Sequence, residues 1–204
     1  MKAVTIGVLL TVGLLVPAAN AGQKPAARID EPAPAFTLTD YSGGSHSLED
    51  YKGKLVVLEW VNFDCPFVKK HYKPNNMQTL QKKYADKGVV WLSINSSAKG
   101  KQGHFDPRTI KARIKKHNAV PTAYLVDADG TVGKRYGART TPHMYVINKD
   151  GVLIYAGAID DKPSTKVDDV EGATNYVAAA LDAALEGKPV TVKATQSYGC
   201  SVKY

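Results

Sequence analysis

The chain has 204 residues, and its 27 Lys and Arg outnumber its 19 Asp and Glu, which gives a formal net charge of +8. A chain of this length usually folds as one domain, with a core large enough to need no disulfide or metal for stability. The densest basic run, residues 111–116, is interleaved with Ile110 and Ile114, as in an amphipathic helix with a solvated basic face. No basic platform interleaved with aromatic residues accompanies this charge, so no binding to nucleic acid is expected.

The first residues have the composition of an export signal. Lys2 precedes an apolar run from Ala3 to Val16, which is shorter than the roughly 20 residues that cross a bilayer. The pattern Ala19-Asn20-Ala21 predicts cleavage near Ala21, so the mature protein is expected to be periplasmic or secreted, where disulfides persist. A buried N-terminal helix or a membrane anchor is the alternative. No second apolar stretch has membrane length, so no stable membrane insertion of the mature chain is expected.

Hydrophobic periodicity and turn residues organise the rest of the chain. Residues 22–34, rich in Ala, Pro and charge, are predicted to form a flexible leader to one folded domain over 35–204. Apolar runs predict strands at Phe36–Thr39, Leu55–Val61, Val89–Ile94, Ala123–Val126, Met144–Ile147 and Val152–Ala156. One helix is predicted to start at Cys65, and a second helical segment, with Met77, Leu80 and Tyr84 on one face, is predicted to end at Gly88. Two more helices are predicted, from Asp106 to about His117 and over Val177–Leu185. This order predicts an α/β fold with a mixed central sheet and helices on both faces.

Cys65 lies where the most apolar strand meets the start of a helix. Pro66 suits the first helical position, and the free N–H groups and dipole of a helix N-terminus favour a thiolate over a thiol. The charge of Asp64 opposes this effect, and Lys69 and Lys70 are expected to compensate it. A buried, inert cysteine or one half of a structural disulfide is the alternative.

Cys200, in the C-terminal tail, is the second of the two cysteines in the chain. A bond between Cys65 and Cys200 would close a long loop, worth about 5 kcal/mol in the chain-entropy model. A permanent disulfide in a binding protein without catalytic activity is therefore an open alternative. Thr141-Pro142 precedes a predicted strand, where a proline marks a sheet edge or a special turn.

The histidines and acidic turns do not form a familiar metal site. No His-x-His or His-x-x-x-His spacing occurs, and His143, beside Pro142, is the one histidine that could approach the site, although a residue there is more often expected to point to the opposite face of the strand. A metal carrier, of copper in particular, remains an alternative. The turns at residues 127–130 and 148–151 lack the further oxygen ligands of a calcium loop, so no metal is expected there.

Four stretches together resemble the redoxin-domain, peroxiredoxin-like branch of the thioredoxin superfamily, which is related to alkyl hydroperoxide reductase and the thiol-specific antioxidant proteins. They are Asn62–Lys70, Arg135–His143, Gly157–Asp161 and Tyr198–Tyr204. The resemblance implies a thioredoxin fold, a thiol-based redox or antioxidant activity without a bound organic cofactor, and Cys65 as the nucleophile. It also implies that Pro142 is a cis-proline facing the catalytic sulfur, where the preceding residue, Thr141, offers backbone hydrogen bonds to a partner.

The same resemblance implies roles for further residues and for partners. Cys200 would be the resolving cysteine, acting within one chain or across a homodimer, and an external dithiol, such as a thioredoxin-like protein, would reset the enzyme. The substrate would be a peroxide or a disulfide. The predicted substrate-binding residues are Asn62, Pro66, Arg139, Thr141 and Pro142.

The chain departs from the family pattern at two positions. Asn62 stands where many relatives carry the first cysteine of a Cys-x-x-Cys pair. The Pro-x-x-x-Thr-x-x-Cys motif of peroxiredoxins is also absent, because Leu58 and Asn62 occupy its proline and threonine positions relative to Cys65. Asn62, Thr141 and Arg139 are the polar residues that could supply peroxide contacts instead.

Overall fold

The computed structural model describes residues 26–204. The strands in this range are β1 (Thr37–Asp40), β2 (Ser45–Ser47), β3 (Val56–Trp60), β4 (Val90–Asn95), β5 (Ala123–Val126), β6 (Thr140–Thr141), β7 (His143–Ile147), β8 (Leu153–Gly157) and β9 (Cys200–Ser201). The α-helices are α1 (Pro66–Tyr72), α2 (Asn76–Ala85), α3 (Pro107–Lys116), α4 (Thr131–Tyr136) and α5 (Tyr176–Leu185). Short 3-10 helices occupy Leu48–Tyr51 and Val167–Val170.

Seven strands form one mixed sheet in the order β2-β1-β5-β4-β3-β7-β8. Strands β3, β4 and β5 are parallel, since each is joined to the next through helices. Strand β7 runs antiparallel to β3 and forms a hairpin with β8, while β1 and β2 complete the other edge in antiparallel orientation. The predicted mixed sheet is confirmed. Strands β6 and β9 pair separately, as a small two-stranded ladder.

Both faces of the sheet are covered, as the residues of β3 illustrate. Val57 faces a core cluster that contains Cys65 and apolar residues of α1, α2 and α5. Leu58 and Trp60 face a second cluster that contains apolar residues of α4. Burying each such side chain contributes about 1.5–3 kcal/mol relative to leaving it exposed. The predicted covering of both faces by helices is confirmed, and Cys65 belongs to one of the two core layers.

The segment before β1 differs from the predicted flexible leader over the part that the structure describes. The amide of Ala27 donates to the carbonyl of Arg135 at 3.1 Å, and the amide of Asp30 donates to the carbonyl of Leu153 at 2.8 Å. Ile29 packs against the second core cluster. These contacts hold residues 27–33 against the sheet, because the apolar residues between the prolines pack on it. The predicted export signal over 1–21 lies outside the described residues.

Candidate active site at Cys65 and Cys200

A tight turn after β3 presents Cys65 at the start of α1. The side-chain oxygen of Asn62 accepts from the amide of Asp64 at 3.0 Å, and the carbonyl of Asn62 accepts from the amide of Cys65 at 3.0 Å. Cys65 is the N-cap residue of α1 and Pro66 is its first residue, so the predicted start of this helix is confirmed. The side chain of Cys65 is fully buried and that of Asn62 is 3% exposed.

Thr141 meets the sulfur of Cys65 from the opposite side. The Thr141-Pro142 peptide bond is cis, as the resemblance implies. The Cys65 thiol donates a hydrogen bond to the carbonyl oxygen of Thr141, with 3.0 Å between the two heavy atoms. The hydroxyl of Thr141 is buried and has no hydrogen-bond partner within residues 26–204. The carbonyl of Thr141 therefore binds the sulfur, and its hydroxyl, which has no well-aligned partner among the described residues, lies close enough to Cys65 to help lower the pKa of the thiol.

The C-terminal tail brings Cys200 to the same place. Strand β9 pairs antiparallel with β6, so that Cys200 lies opposite Thr141. The pairing continues where the amide of Val202 donates to the carbonyl of Arg139 at 3.0 Å. Cys200 is partly buried, and both cysteines are free thiols in the structure. The tail thus occupies the backbone edge of β6 beside the cis-proline.

Gly199 allows this close approach of the tail. Its φ of +136° is a conformation that side chains strongly disfavour, and a Cβ at this position would lie 2.1 Å from the carbonyl oxygen of Thr141. Because no side chain fits there, a glycine directly before Cys200 is required for the tail to lie against the cis-proline loop.

The two thiols differ in acidity. Burial opposes ionisation of Cys65, but the Cys200 thiol, the Thr141 side chain and the amides of Cys200 and Val68 together outweigh it and lower the pKa of Cys65. Burial and the neighbouring Cys65 raise the pKa of Cys200 to about 11. Because the thiolate is the attacking species, this arrangement favours Cys65 as nucleophile and leaves Cys200 as a proton-bearing donor.

The predicted compensation of Asp64 by Lys69 and Lys70 is wrong for Lys70. A guanidinium nitrogen of Arg113, on α3, lies 2.7 Å from a carboxylate oxygen of Asp64. Lys70 is only 1% exposed and its ammonium group lies 3.4 Å from the carboxylate of Asp160. The helical turn of about 100° per residue carries Lys70 to a different face of α1 from the one beside Asp64.

Lys70 belongs to a buried polar cluster that the sequence interpretation missed. The Lys70 ammonium donates to the carbonyl of Lys162 at 2.5 Å. The Tyr198 hydroxyl, from the tail, donates to Asp160 and lies 3.2 Å from Nε2 of His71. Asp160 and Tyr198 both fall in the stretches that carry the family resemblance, which is the one feature of the sequence that could have indicated them.

Two of the predicted substrate-binding residues lie at the surface. Pro66 is exposed at the first position of α1, and the side chain of Arg139 is exposed. Within the described part of the chain, the guanidinium of Arg139 makes no hydrogen bond or ion pair, and this residue meets the tail through its backbone carbonyl. Asn62, Thr141 and Pro142 are buried beside Cys65.

A basic cavity of about 580 Å³ adjoins the turn before Cys65. Its lining includes Asp64 together with the positively charged Lys69, Lys73, Arg113 and Lys116. Since one carboxylate faces four cations, the cavity attracts negatively charged groups to the neighbourhood of the sulfur.

His143 is buried directly after Pro142. Its ring packs on that of Tyr145 with 4.6 Å between centroids. Burial and the nearby charge of Arg139 lower the pKa of His143 to about 4, so the ring is neutral near pH 7. Across residues 26–204, no three His, Cys, Asp or Glu residues lie close enough together to hold a metal ion. No helix in this range is long and apolar enough to cross a membrane.

Comparison with known proteins identifies the class. The fold is the thioredoxin fold: the thioredoxin domain of a thiol-disulfide oxidoreductase from Bacteroides vulgatus superposes with a TM-score of 0.52 at 19% identity, over 72% of this chain and 97% of the other. An uncharacterized conserved protein from Geobacillus kaustophilus superposes with a TM-score of 0.76 at 32% identity, over 94% of this chain and 98% of the other.

The AhpC/TSA family matches residues 29–156, and the chain belongs to this family. The thiol-disulfide oxidoreductase ResA of Bacillus thuringiensis is 30% identical over 127 residues, which are 62% of this chain and 67% of the relative. The expected membership of the redoxin branch is therefore confirmed. The tail with Cys200 lies beyond the range that the family matches.

Proposed function

We propose that this protein is an exported thiol-disulfide oxidoreductase in which Cys65 is the nucleophile and Cys200 the resolving cysteine. One observation carries the proposal: the pairing of β6 with β9 places Cys200 directly opposite Thr141, whose carbonyl accepts the hydrogen bond of the Cys65 thiol, so that the two cysteines are neighbours. Membership of the AhpC/TSA family and the similarity to a thiol-disulfide oxidoreductase support it. The pair replaces the Cys-x-x-Cys arrangement, since Asn62 stands three positions before Cys65.

The cycle has two exchange steps. The Cys65 thiolate attacks one sulfur of a substrate disulfide, which breaks that bond, forms a mixed disulfide and releases the first substrate thiolate. Cys200 loses its proton to this leaving thiolate and attacks the sulfur of Cys65, which expels the second substrate thiolate. The substrate gains two electrons and the enzyme holds a Cys65–Cys200 disulfide. An external dithiol then reduces that disulfide, which returns both thiols to the enzyme.

A hydroperoxide is the second candidate substrate, because Cys65 is fully buried beneath the tail and a small oxidant needs the least opening. The thiolate would attack the O–O bond to give a sulfenic acid and release the alcohol or water, and Cys200 would condense with it to release water. Leu58 and Asn62 stand where peroxiredoxins carry their motif residues, so the unpaired hydroxyl of Thr141 would have to donate to the peroxide.

Two single-cysteine variants test the proposed roles. Cys200→Ser should still react with glutathione disulfide and accumulate a stable mixed disulfide on Cys65, detectable by mass. Cys65→Ser should form an adduct much more slowly at the same oxidant concentration, because burial still raises the pKa of Cys200 when Cys65 is absent. The wild type should pass quickly from adduct to internal disulfide. A Cys65–Cys200 bond that resists mild reductant, or equal reactivity of the two variants, would indicate a structural brace instead.

The same experiments address the remaining expectations. Replacing glutathione disulfide by hydrogen peroxide distinguishes the two substrate classes by their rates of Cys65 oxidation. The proposed export predicts that protein recovered from the cell envelope or medium begins at Gly22, which N-terminal mass analysis tests. Electrophoresis without reductant separates a disulfide within one chain from one across a homodimer.

A further inference from the structure

The tail makes two contacts with α1, and the second has no part in the exchange chemistry. Cys200 meets Cys65 at the start of this helix, and Tyr198 meets Lys70 and His71 near its end. Tyr198 and Cys200 thus reach α1 from the two sides of a bend at Gly199. Gly199, between them, lies against the carbonyl of Thr141.

The Tyr198 hydroxyl joins the tail to a buried network of charged and polar groups. Lys70, His71 and Asp160 are 1%, 0% and 3% exposed, and buried charges are tolerated only where they are paired and hydrogen-bonded. The Tyr198 hydroxyl donates to the carboxylate of Asp160, and the Lys70 ammonium lies 3.4 Å from the hydroxyl oxygen of Tyr198. Burial, partly offset by the Asp160 carboxylate, lowers the pKa of His71 to about 4.

The tautomer of His71 agrees with this network. The side-chain amide of Asn76 lies 3.0 Å from Nδ1 of His71 and can donate to it. The proton of the neutral ring then sits on Nε2, which donates to the Tyr198 oxygen at 3.2 Å. The ring of Tyr198 also packs on Phe67, with 5.9 Å between centroids, and under the Lys70 ammonium at 5.3 Å.

We propose that Tyr198 is a positioning residue: its hydroxyl, bound by Lys70, His71 and Asp160, locks the tail across the site so that Cys200 stays on Cys65 and external partners are held off. The resolving role of Cys200 in this inference rests on the proposed function. The lock acts on the two steps in opposite directions. It slows the first attack, for which the tail must lift from the buried sulfur, and it speeds resolution, for which the tail must lie in place.

Tyr198→Phe tests the lock by removing one oxygen atom, which leaves the buried cluster short of a donor and an acceptor. Tyr204→Phe is the matched control, because the hydroxyl of Tyr204 also ties the tail down, to the carbonyl of Ala138 at 2.7 Å, but outside the cluster. Both are made in the full chain. The readouts are the rate of Cys65 attack on glutathione disulfide, the rate of resolution, and the equilibrium constant of the Cys65–Cys200 disulfide against glutathione.

In Tyr198→Phe we expect the first attack to be about tenfold faster, resolution about tenfold slower and the equilibrium constant about tenfold lower, as for loss of one hydrogen bond to a charged group. Tyr204→Phe should change these quantities by only about two- to threefold, because its hydroxyl binds a neutral carbonyl rather than charged groups. A fall in both rates, or equal effects of the two variants, would overturn the proposal, since a general loss of structure does not accelerate one step.

A second measurement separates this inference from the proposed function. In a Cys200→Ser background, alkylation of Cys65 by iodoacetamide is followed against pH with and without Tyr198→Phe. We expect a higher plateau rate, because the lock controls access, together with a midpoint at higher pH, because the lifted tail withdraws its hydrogen bonds from the Cys65 thiolate. A shifted midpoint with the same plateau would overturn the lock. If the wild type forms no Cys65–Cys200 disulfide at any glutathione ratio, the proposed function fails, while this alkylation comparison still decides the lock.

Discussion

Cys200 lies directly opposite Thr141 in the antiparallel pair of β6 and β9, and the carbonyl of the same Thr141 accepts the hydrogen bond of the Cys65 thiol. A strand of two residues therefore sets the position of both sulfurs. Because the tail is part of the chain, Cys200 acts at a high effective concentration on Cys65 once the pair is in register. The predictions below concern the contacts that maintain this arrangement.

Cys200→Ala should make Cys65 a weaker acid than Cys200→Ser does. The hydroxyl of serine can still donate to the thiolate of Cys65, whereas alanine removes the donor that lowers its pKa. A hydrogen bond to a charged group is worth about 1.5–3 kcal/mol, so the thiolate fraction at neutral pH should fall about tenfold or more in the alanine variant. Ultraviolet absorbance of the thiolate, followed against pH, measures this directly. Identical titration curves for the two variants would contradict the assigned role of the Cys200 thiol.

Gly199→Ala should displace the tail, because the added Cβ would collide with the carbonyl oxygen of Thr141. Gly172→Ala is its control: Gly172 also has a positive φ, of +75°, but nothing lies within 4 Å of the added atom. We expect Cys65 to be alkylated at least about tenfold faster in Gly199→Ala alone, as for the loss of about 1.4 kcal/mol of tail binding. Equal alkylation rates in both variants would contradict this prediction, because they would mean that the added Cβ at position 199 does not displace the tail.

Lys70→Met should strongly destabilise the protein, because it leaves the carboxylate of Asp160 buried without its cation. Breaking a buried ion pair from one side costs about 3–5 kcal/mol. Lys83→Met is the matched comparison, since Lys83 lies 3.2 Å from Asp182 in a pair whose side chains are 44% and 41% exposed. That change should cost at most about 1 kcal/mol. Urea unfolding of the reduced proteins measures both, and similar losses would show that the Lys70 pair is open to water.

Local sequence patterns predict the strand and the helix start that position Cys65. The continuous apolar run predicted β3, and Pro66 predicted the start of α1, because both features reside in consecutive residues. Helix α4 was not predicted: its six residues include Gly133 and follow Gly130, so the segment has no apolar stripe of ordinary helical length. The second core cluster therefore contains a helix that the periodicity of apolar residues could not predict.

The arrangement of the tail could not be predicted from local patterns. Strands β6 and β9 have two residues each and come from distant parts of the chain, so no alternation of apolar and polar residues marks them. The family resemblance indicated Cys200 but not the strand that carries it. Lys70 was misread because its burial depends on Asp160 and Tyr198, which two separate segments supply.

Glu59 provides a test of the core beneath α1 through its titration. It is fully buried in β3 and accepts from Nε1 of Trp91 at 2.8 Å and from the hydroxyls of Ser93 and Tyr72, each at 2.9 Å. Burial outweighs these hydrogen bonds and raises the pKa of Glu59.

Because the folded pKa lies above that of the unfolded chain, Glu59 stabilises the fold fully below the unfolded pKa and loses this contribution as the pH rises through the folded pKa. Glu59→Gln cannot titrate, so the free energy of unfolding of wild type minus that of the variant should decrease from about pH 4 to pH 8 in urea titrations. A constant difference would show that Glu59 keeps its ordinary pKa in the folded protein, and a difference that grows with pH would show a lowered pKa; either result would contradict the prediction.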